Sequence, residues 1–487
     1  MSVTRSGDQD PVRYPELSPQ LRDRSLTGML KLFGPGAIIA SVTIGSGETV
    51  FASRGGAVFG YSLFWCFLVG SALKGLQVYT GARFITLTGR HPLRSWMDLP
   101  GPRGWFVLFV SVMTIVWMPF WVGGGLPKML GEFTNWVVGF PDPENVSDYV
   151  FFGRLWGTFF ILVALTFTWV QSYGFLERVQ TVLVGLLLLC MVLAAAVSNP
   201  DLLALLGGTL VPTRPRYDGW VLERFAEFRG RNPWVEMVTY LGAVGGGTQD
   251  YLGYVGMLRE KGWGLLGIRG RGPLDAGREN LKRGLAWLRA PRTDVTVSFT
   301  CIFIFTLCFA ILGATILYPR QEIPSGFDLL TLQLGYLVRP DQSPLVQTLL
   351  AWLYKTGIFF AFFGTIYGAY ELYTRTTREC LVALFPSLRK VPLKKFRLWT
   401  LLWCAGPGLS LLWFLEQDPV FIVTPAALVG SGLICGLWCF AMLWSDRYHL
   451  PQELRMRWPL WLGTLVAGIG LTVIPLIGIV KYVQSFL

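Results

Sequence analysis

Apolar residues in this chain come in long unbroken runs, unlike the alternation of a half-buried strand or the narrow stripe of a surface helix. Runs over residues 35–57, 61–87, 105–129, 155–171, 178–198, 234–258, 294–318, 345–373, 396–415, 419–443 and 458–484 each approach or exceed the length a helix needs to cross a hydrocarbon layer. They predict an all-α membrane protein of about eleven transmembrane helices. The first and sixth runs are interrupted near their middles by glycine clusters, Gly45-Ser46-Gly47 and Gly245-Gly246-Gly247. Lipid offers backbone N–H and C=O groups no partner, so irregular chain at this depth is tolerated where it lines a cavity inside the protein. A broken helix in first position of each set of five predicts an inverted repeat of five plus five helices, with spans 1 and 6 crossing at the centre. The domain reading is an arm over 1–33, a ten-helix core over 34–443, and a connection with an eleventh helix over 444–487.

Composition agrees, with 52% hydrophobic and 15% charged residues and a mean hydropathy of +0.48. The basic residues set the orientation. Arg259, Lys261, Arg269, Arg271, Arg278, Lys282, Arg283, Arg289 and Arg292 join spans 6 and 7, and Arg389, Lys390, Lys394, Lys395 and Arg397 precede span 9. Both connections are expected in the cytoplasm, with the N-terminus, and the C-terminus outside. One loop resists: residues 199–232, expected outside, hold Arg214, Arg216, Arg224, Arg229 and Arg231. The net charge of +12 is read as this topological signal in contact with a lipid bilayer, and nucleic acid is not expected as a partner. The eight cysteines form no CxxC pair and fall in or at the ends of apolar runs, as small buried hydrophobes do. His91 and His449 fall in connections, which leaves no histidine for an intramembrane relay.

The two breaks carry a set of hard oxygen donors: Glu48, Ser46 and Thr43 at the first, Thr248, Gln249 and Asp250 at the second, with the carbonyls the glycines set free. Two carboxylates and several neutral oxygens suit a hard cation, with Glu48 and Asp250 as its charged ligands. Each carboxylate also has a plainer reading as the cap of a following half-helix, and the hydroxyls and amide as ordinary helix-end partners. Lys74 and Lys355 read as structural and Glu371 as an ion-pair partner of Arg375, while Asp294, which opens span 7, reads either as its N-terminal cap or as an acidic group with a role of its own.

Ordered motifs add a resemblance. Gly34-Pro35-Gly36, Phe59-Gly60-Tyr61-Ser62-Leu63, Thr88-Gly89-Arg90, Tyr173-Gly174-Phe175 with Glu177, Leu241-Gly242-Ala243 and Ser445-Asp446-Arg447 resemble, in order and spacing, the Nramp divalent-metal transporters. The resemblance implies a LeuT-like fold. It also implies that the family's ligand signature has been rebuilt. Gly45-Ser46-Gly47-Glu48 stands where the family has Asp-Pro-Gly-Asn, Gly246 where it has a methionine ligand, Gly247 where a proline follows, and Thr248 and Gly253 where it has histidines. Loss of the soft thioether at Gly246 removes the preference for softer ions. Near Met118 and Trp121 the family's acidic proton path is missing. The expected function is secondary transport of a hard divalent cation such as magnesium, by alternating access and without proton coupling, in a bacterial inner membrane. Two alternatives stand beside it: a transporter of a small organic solute or anion, and a transport-dead sensor or partner protein. No nucleophile–base pair or nucleotide loop points to an enzyme, and no cofactor is implied.

Overall fold

The computed structural model describes residues 11–23, 25, 35–43, 45, 47–170, 173–268, 272–323, 328–415 and 419–485. Helical chain lies at each of the eleven expected runs: α1 (Pro35–Thr43) continuing after its break into α2 (Ser53–Phe59), then α3 (Phe64–Thr88), α4 (Trp105–Val116) with α5 (Leu126–Val138), α6 (Val146–Val170), α7 (Tyr173–Val197), α8 (Pro233–Ala243) and α9 (Thr248–Lys261), α10 (Arg289–Leu312), α11 (Pro344–Leu384), α12 (Leu393–Phe414), α13 (Ile434–His449) and α14 (Trp458–Gln484). Among the described residues, six stretches are long and apolar enough to cross a membrane, or seven if Gly185–Val197 and Leu202–Leu210, bent by 116°, count as one. The others fall short for physical reasons. α1, α2, α8 and α9 are halves of broken helices, α3 carries Lys74 and Arg83, and α12 opens on Lys394, Lys395 and Arg397. Such segments depend on neighbours to cover their polar groups.

Sorting of side chains follows the solvent. Leu155, Phe159 and Leu162 on α6, Leu398 and Leu402 on α12, and Ile469, Val473 and Leu476 on α14 are exposed, a belt of apolar surface that only lipid would accept. Residues 48–59 of the first broken helix and 235–255 of the second are instead almost wholly buried. α1 and α9 pack against each other and both against α11, so the two breaks meet in the interior.

Buried charges occur in pairs that tie the bundle together. Arg83 meets Asp446 at 2.5 Å, and Asp446 also accepts from Met456 N. Glu371 joins Arg375 at 2.9 Å, as its spacing predicts, and adds Arg397 at 3.1 Å. Lys355 lies over the Trp136 ring at 4.6 Å. Two basic residues of the loop that resists the charge rule, Arg229 and Arg231, find partners within the protein. Arg231 pairs with Glu236 at 3.0 Å and covers the Phe421 ring, Arg229 donates to the carbonyls of Leu222 and Glu223, and Glu227 reaches the buried Arg54 of α2 at 2.9 Å. Arg229 and Arg231 are thus held by a counter-charge, an aromatic ring and main-chain carbonyls. Asp294 is not the cap of its own helix: α10 begins at Arg289, and Asp294 on its second turn accepts from Gly36 N at the start of α1 and from Tyr254 OH. It caps a neighbour.

His91 lies in the connection after α3, as expected, but it is buried. Its Nδ1 accepts from Leu93 N and its Nε2–H donates to the carbonyl of Leu252, which requires the neutral ring. Burial lowers its pKa from 6.5 to about 4. Between those values the unfolded chain binds a proton that the folded chain refuses, so stability falls as pH drops from about 6.5 towards 4. His91→Gln keeps one donor and one acceptor but cannot titrate, and should remove up to about 3 kcal/mol of this pH dependence. Thermal unfolding in detergent across that range checks it, and parallel profiles for the two proteins would count against the buried neutral ring.

Candidate ion site between the broken helices

α8 starts at Asn232, whose side chain accepts from Trp234 N, with Pro233 in the first turn. It ends because Gly245 and Gly246 take φ of +81° and +82°, a left-handed conformation that side chains resist. The break that follows is fully accounted for. Lys74 of α3 donates to the carbonyls of Gly242, Val244 and Gly246 at 2.8, 2.7 and 2.8 Å, and Tyr251 OH donates to that of Gly245 at 2.6 Å. Gly247 O accepts from the amides of Asp250 and Tyr251, and Ala243 O from that of Gly246. The remaining amides go to the two candidate carboxylates: Gly245 N donates to Glu48 Oε1 at 2.9 Å and Gly247 N to Asp250 Oδ2 at 2.8 Å. The carbonyls expected to be free for an ion are therefore in use, chiefly by an ammonium group.

At the first break, Thr49 Oγ1 donates to Gly45 O, and Gln333 donates to Thr49 O at 2.7 Å. Ser46 lies outside the described residues. Glu48 is wholly buried, and its Oε2 has no hydrogen-bond partner among the described residues. A Cβ on Gly45 would come within 2.0 Å of Thr365 Oγ1, and one on Gly246 within 2.6 Å of Thr43 Cγ2. The aspartate and methionine that the resemblance sets at these positions do not fit this backbone path.

Four of the candidate residues come together. Thr43, Gly246, Gln249 and Asp250 line a cavity of about 30 Å³ with Trp121, Thr365, Tyr373 and Ser431. Glu48, Gly45 and Thr248 do not line it. Thr248 instead contacts Cys435 Sγ at 3.4 Å. Gln249 Nε2 reaches Ser431 Oγ at 3.4 Å, while Gln249 Oε1 is buried without a hydrogen-bond partner among the described residues. Thr365 and Ser431 escaped the sequence reading because they come from α11 and the segment before α13, and a lone hydroxyl in an apolar run carries no signal of its own. The third span is also longer than the expected 105–129: it runs over Trp105–Val138, and Lys128 and Glu132 are buried in its second half. Among the described residues no three His, Cys, Asp or Glu side chains lie close enough to share a metal ion. A cation here would rest on one carboxylate and neutral oxygens.

Two broken helices packed against each other around a small cavity of mixed lining, inside a bundle edged with lipid-facing apolar surface, define a polytopic helical membrane protein of the LeuT-like type. The chain belongs to the Nramp family, whose model, Natural resistance-associated macrophage protein-like, matches residues 36–481. Similar solved structures include the Eremococcus coleocola manganese transporter in complex with an aromatic bis-isothiourea substituted compound, with a TM-score of 0.68, 15% identity, and coverage of 100% of this chain and 92% of that one. MhsT in complex with L-phenylalanine gives a TM-score of 0.53 at 13% identity, over 92% of this chain and 98% of that one. At such identities the likeness is one of fold. No curated protein matches the sequence.

Proposed function

We propose that this chain is a secondary transporter of a hard divalent cation, magnesium being the type case, working by alternating access through eleven helices without proton coupling. Asp250 supplies the charge, and Gln249 Oε1, Thr43, Thr365 and Ser431 supply neutral oxygens. The observation that carries this reading is the cavity itself: about 30 Å³, with the Asp250 carboxylate, the hydroxyls of Thr43, Thr365 and Ser431 and an amide oxygen set among apolar side chains, and with no sulfur or imidazole among the described lining residues. Hard oxygen donors favour magnesium or calcium over softer ions. The volume suits an ion or one or two waters, and is far below the several hundred Å³ usual for organic ligands, which weighs against the organic-solute reading. Membership of the Nramp family and the fold shared with a manganese transporter support metal transport as the broader class. Lys74 favours a second reading: with a fixed positive charge already in the break, the chain binds no ion and serves as a sensor or partner.

Uptake into proteoliposomes separates these. Magnesium should enter down its own gradient, competed by manganese or calcium, with internal pH no different from that of empty vesicles. Acidification driven by magnesium would overturn proton-free flux and make Glu132 the first residue to replace. Uptake of a small carboxylate alone would sink the cation reading, and no uptake with no metal binding would favour the partner reading.

A further inference from the structure

Lys74 does more than fill space beside the second break. An ammonium group has three N–H donors and no acceptor, and all three are matched by main-chain carbonyls at 2.7–2.8 Å. The acceptors are Gly242 in the last turn of α8, and Val244 and Gly246 in the turn that follows it, where the left-handed glycines bring the three oxygens to one ammonium group. Gly242 also belongs to the C-terminal end of α8, where the peptide dipoles gather partial negative charge. The two carboxylates nearby hydrogen-bond to amides of the same break. The positive charge is thus solvated as a bare cation would be, by a tripod of carbonyls at the negative end of a half-helix.

We infer that Lys74 is a tethered cation occupying a main-chain site that a free monovalent ion, sodium or potassium, would otherwise fill, and that it frees the second break from dependence on such an ion. Alternating access in this chain then needs no monovalent co-ion at the Gly242–Gly246 carbonyls, whatever the adjacent cavity carries. The inference goes beyond the transport reading, and its test reads stability, so a failure to transport magnesium leaves it standing.

Lys74→Met and Lys74→Gln remove the charge and keep most of the volume. Each is prepared in detergent in sodium, potassium or choline chloride at equal ionic strength, and its melting temperature compared with that of the unaltered protein. The unaltered protein should melt at one temperature in all three salts. The variants should melt about 2 °C or more higher in sodium or potassium than in choline, because an ion that binds only the folded state stabilises it by mass action. Recovery of the variants from sodium or potassium but not from choline is the same result in stronger form. Melting that is independent of the salt in both variants would overturn the inference, as would failure to recover either variant in any salt, since a vacated tripod that no free ion can refill is not an ion site.

Discussion

Asp250→Asn should weaken divalent-cation binding at least tenfold, about 1.4 kcal/mol, while leaving melting in detergent nearly unchanged. The asparagine side-chain oxygen can still accept from Gly247 N, so the cap on α9 survives. What disappears is the one carboxylate among the described residues that line the cavity, and without it the remaining donors there are neutral. Calorimetric titration with magnesium reads the affinity directly. Glu48→Gln is the companion measurement. Glu48 holds Gly245 N and lies outside the cavity lining, so its substitution should change magnesium affinity less than Asp250→Asn does. Equal losses from both would place Glu48 in the ion's coordination shell, and an Asp250→Asn protein that binds normally would remove the proposed site.

Gly246→Ala should destabilise the fold by at least about 2 kcal/mol, the sum of a left-handed backbone and a clash. Its φ is +82°, and an added Cβ would meet Thr43 Cγ2 at 2.6 Å and Asp250 Oδ2 at 2.9 Å. Gly245→Ala separates the two causes. Its φ is nearly the same, +81°, but its nearest contact would be Phe299 Cε1 at 3.5 Å, so it should show only the conformational part, about 1–2 kcal/mol. Melting of both variants beside the unaltered protein checks the order, and equal losses would mean that the crowding at Gly246 relaxes freely.

The helices and their breaks could be read from the chain because both signals are local: an apolar run of sufficient length and a glycine cluster within it. The Glu371–Arg375 pair was legible for the same reason, being one helical turn apart. The contents of the break were not. Lys74 precedes the carbonyls it binds by 168 to 172 residues, and nothing near it in sequence distinguishes a buried ammonium from one that snorkels to the surface. The cap reading of Asp294 fails because a carboxylate near the start of an apolar run looks like that run's own cap, while its partner, Gly36, lies 258 residues away. The third run stops at residue 129 in the sequence because hydropathy falls over the polar stretch that follows, although the helix continues to Val138 and Glu132 is buried. The candidate donors divided between cavity and scaffold for a reason of geometry: neighbours in a broken helix point to different sides.

The distance between Lys74 and its three carbonyls also has a cost in time. A lysine placed in a bilayer before its partners exist is unfavourable by roughly 2.5–3.5 kcal/mol on insertion scales. The acceptors at Gly242, Val244 and Gly246 emerge only after some 170 further residues, roughly ten to thirty seconds of synthesis. During that interval α3 has no internal reason to stay centred in the membrane, and the unfinished α8–α9 pair would bring unpaired carbonyls of its own. The two segments become stable in the membrane only once they meet.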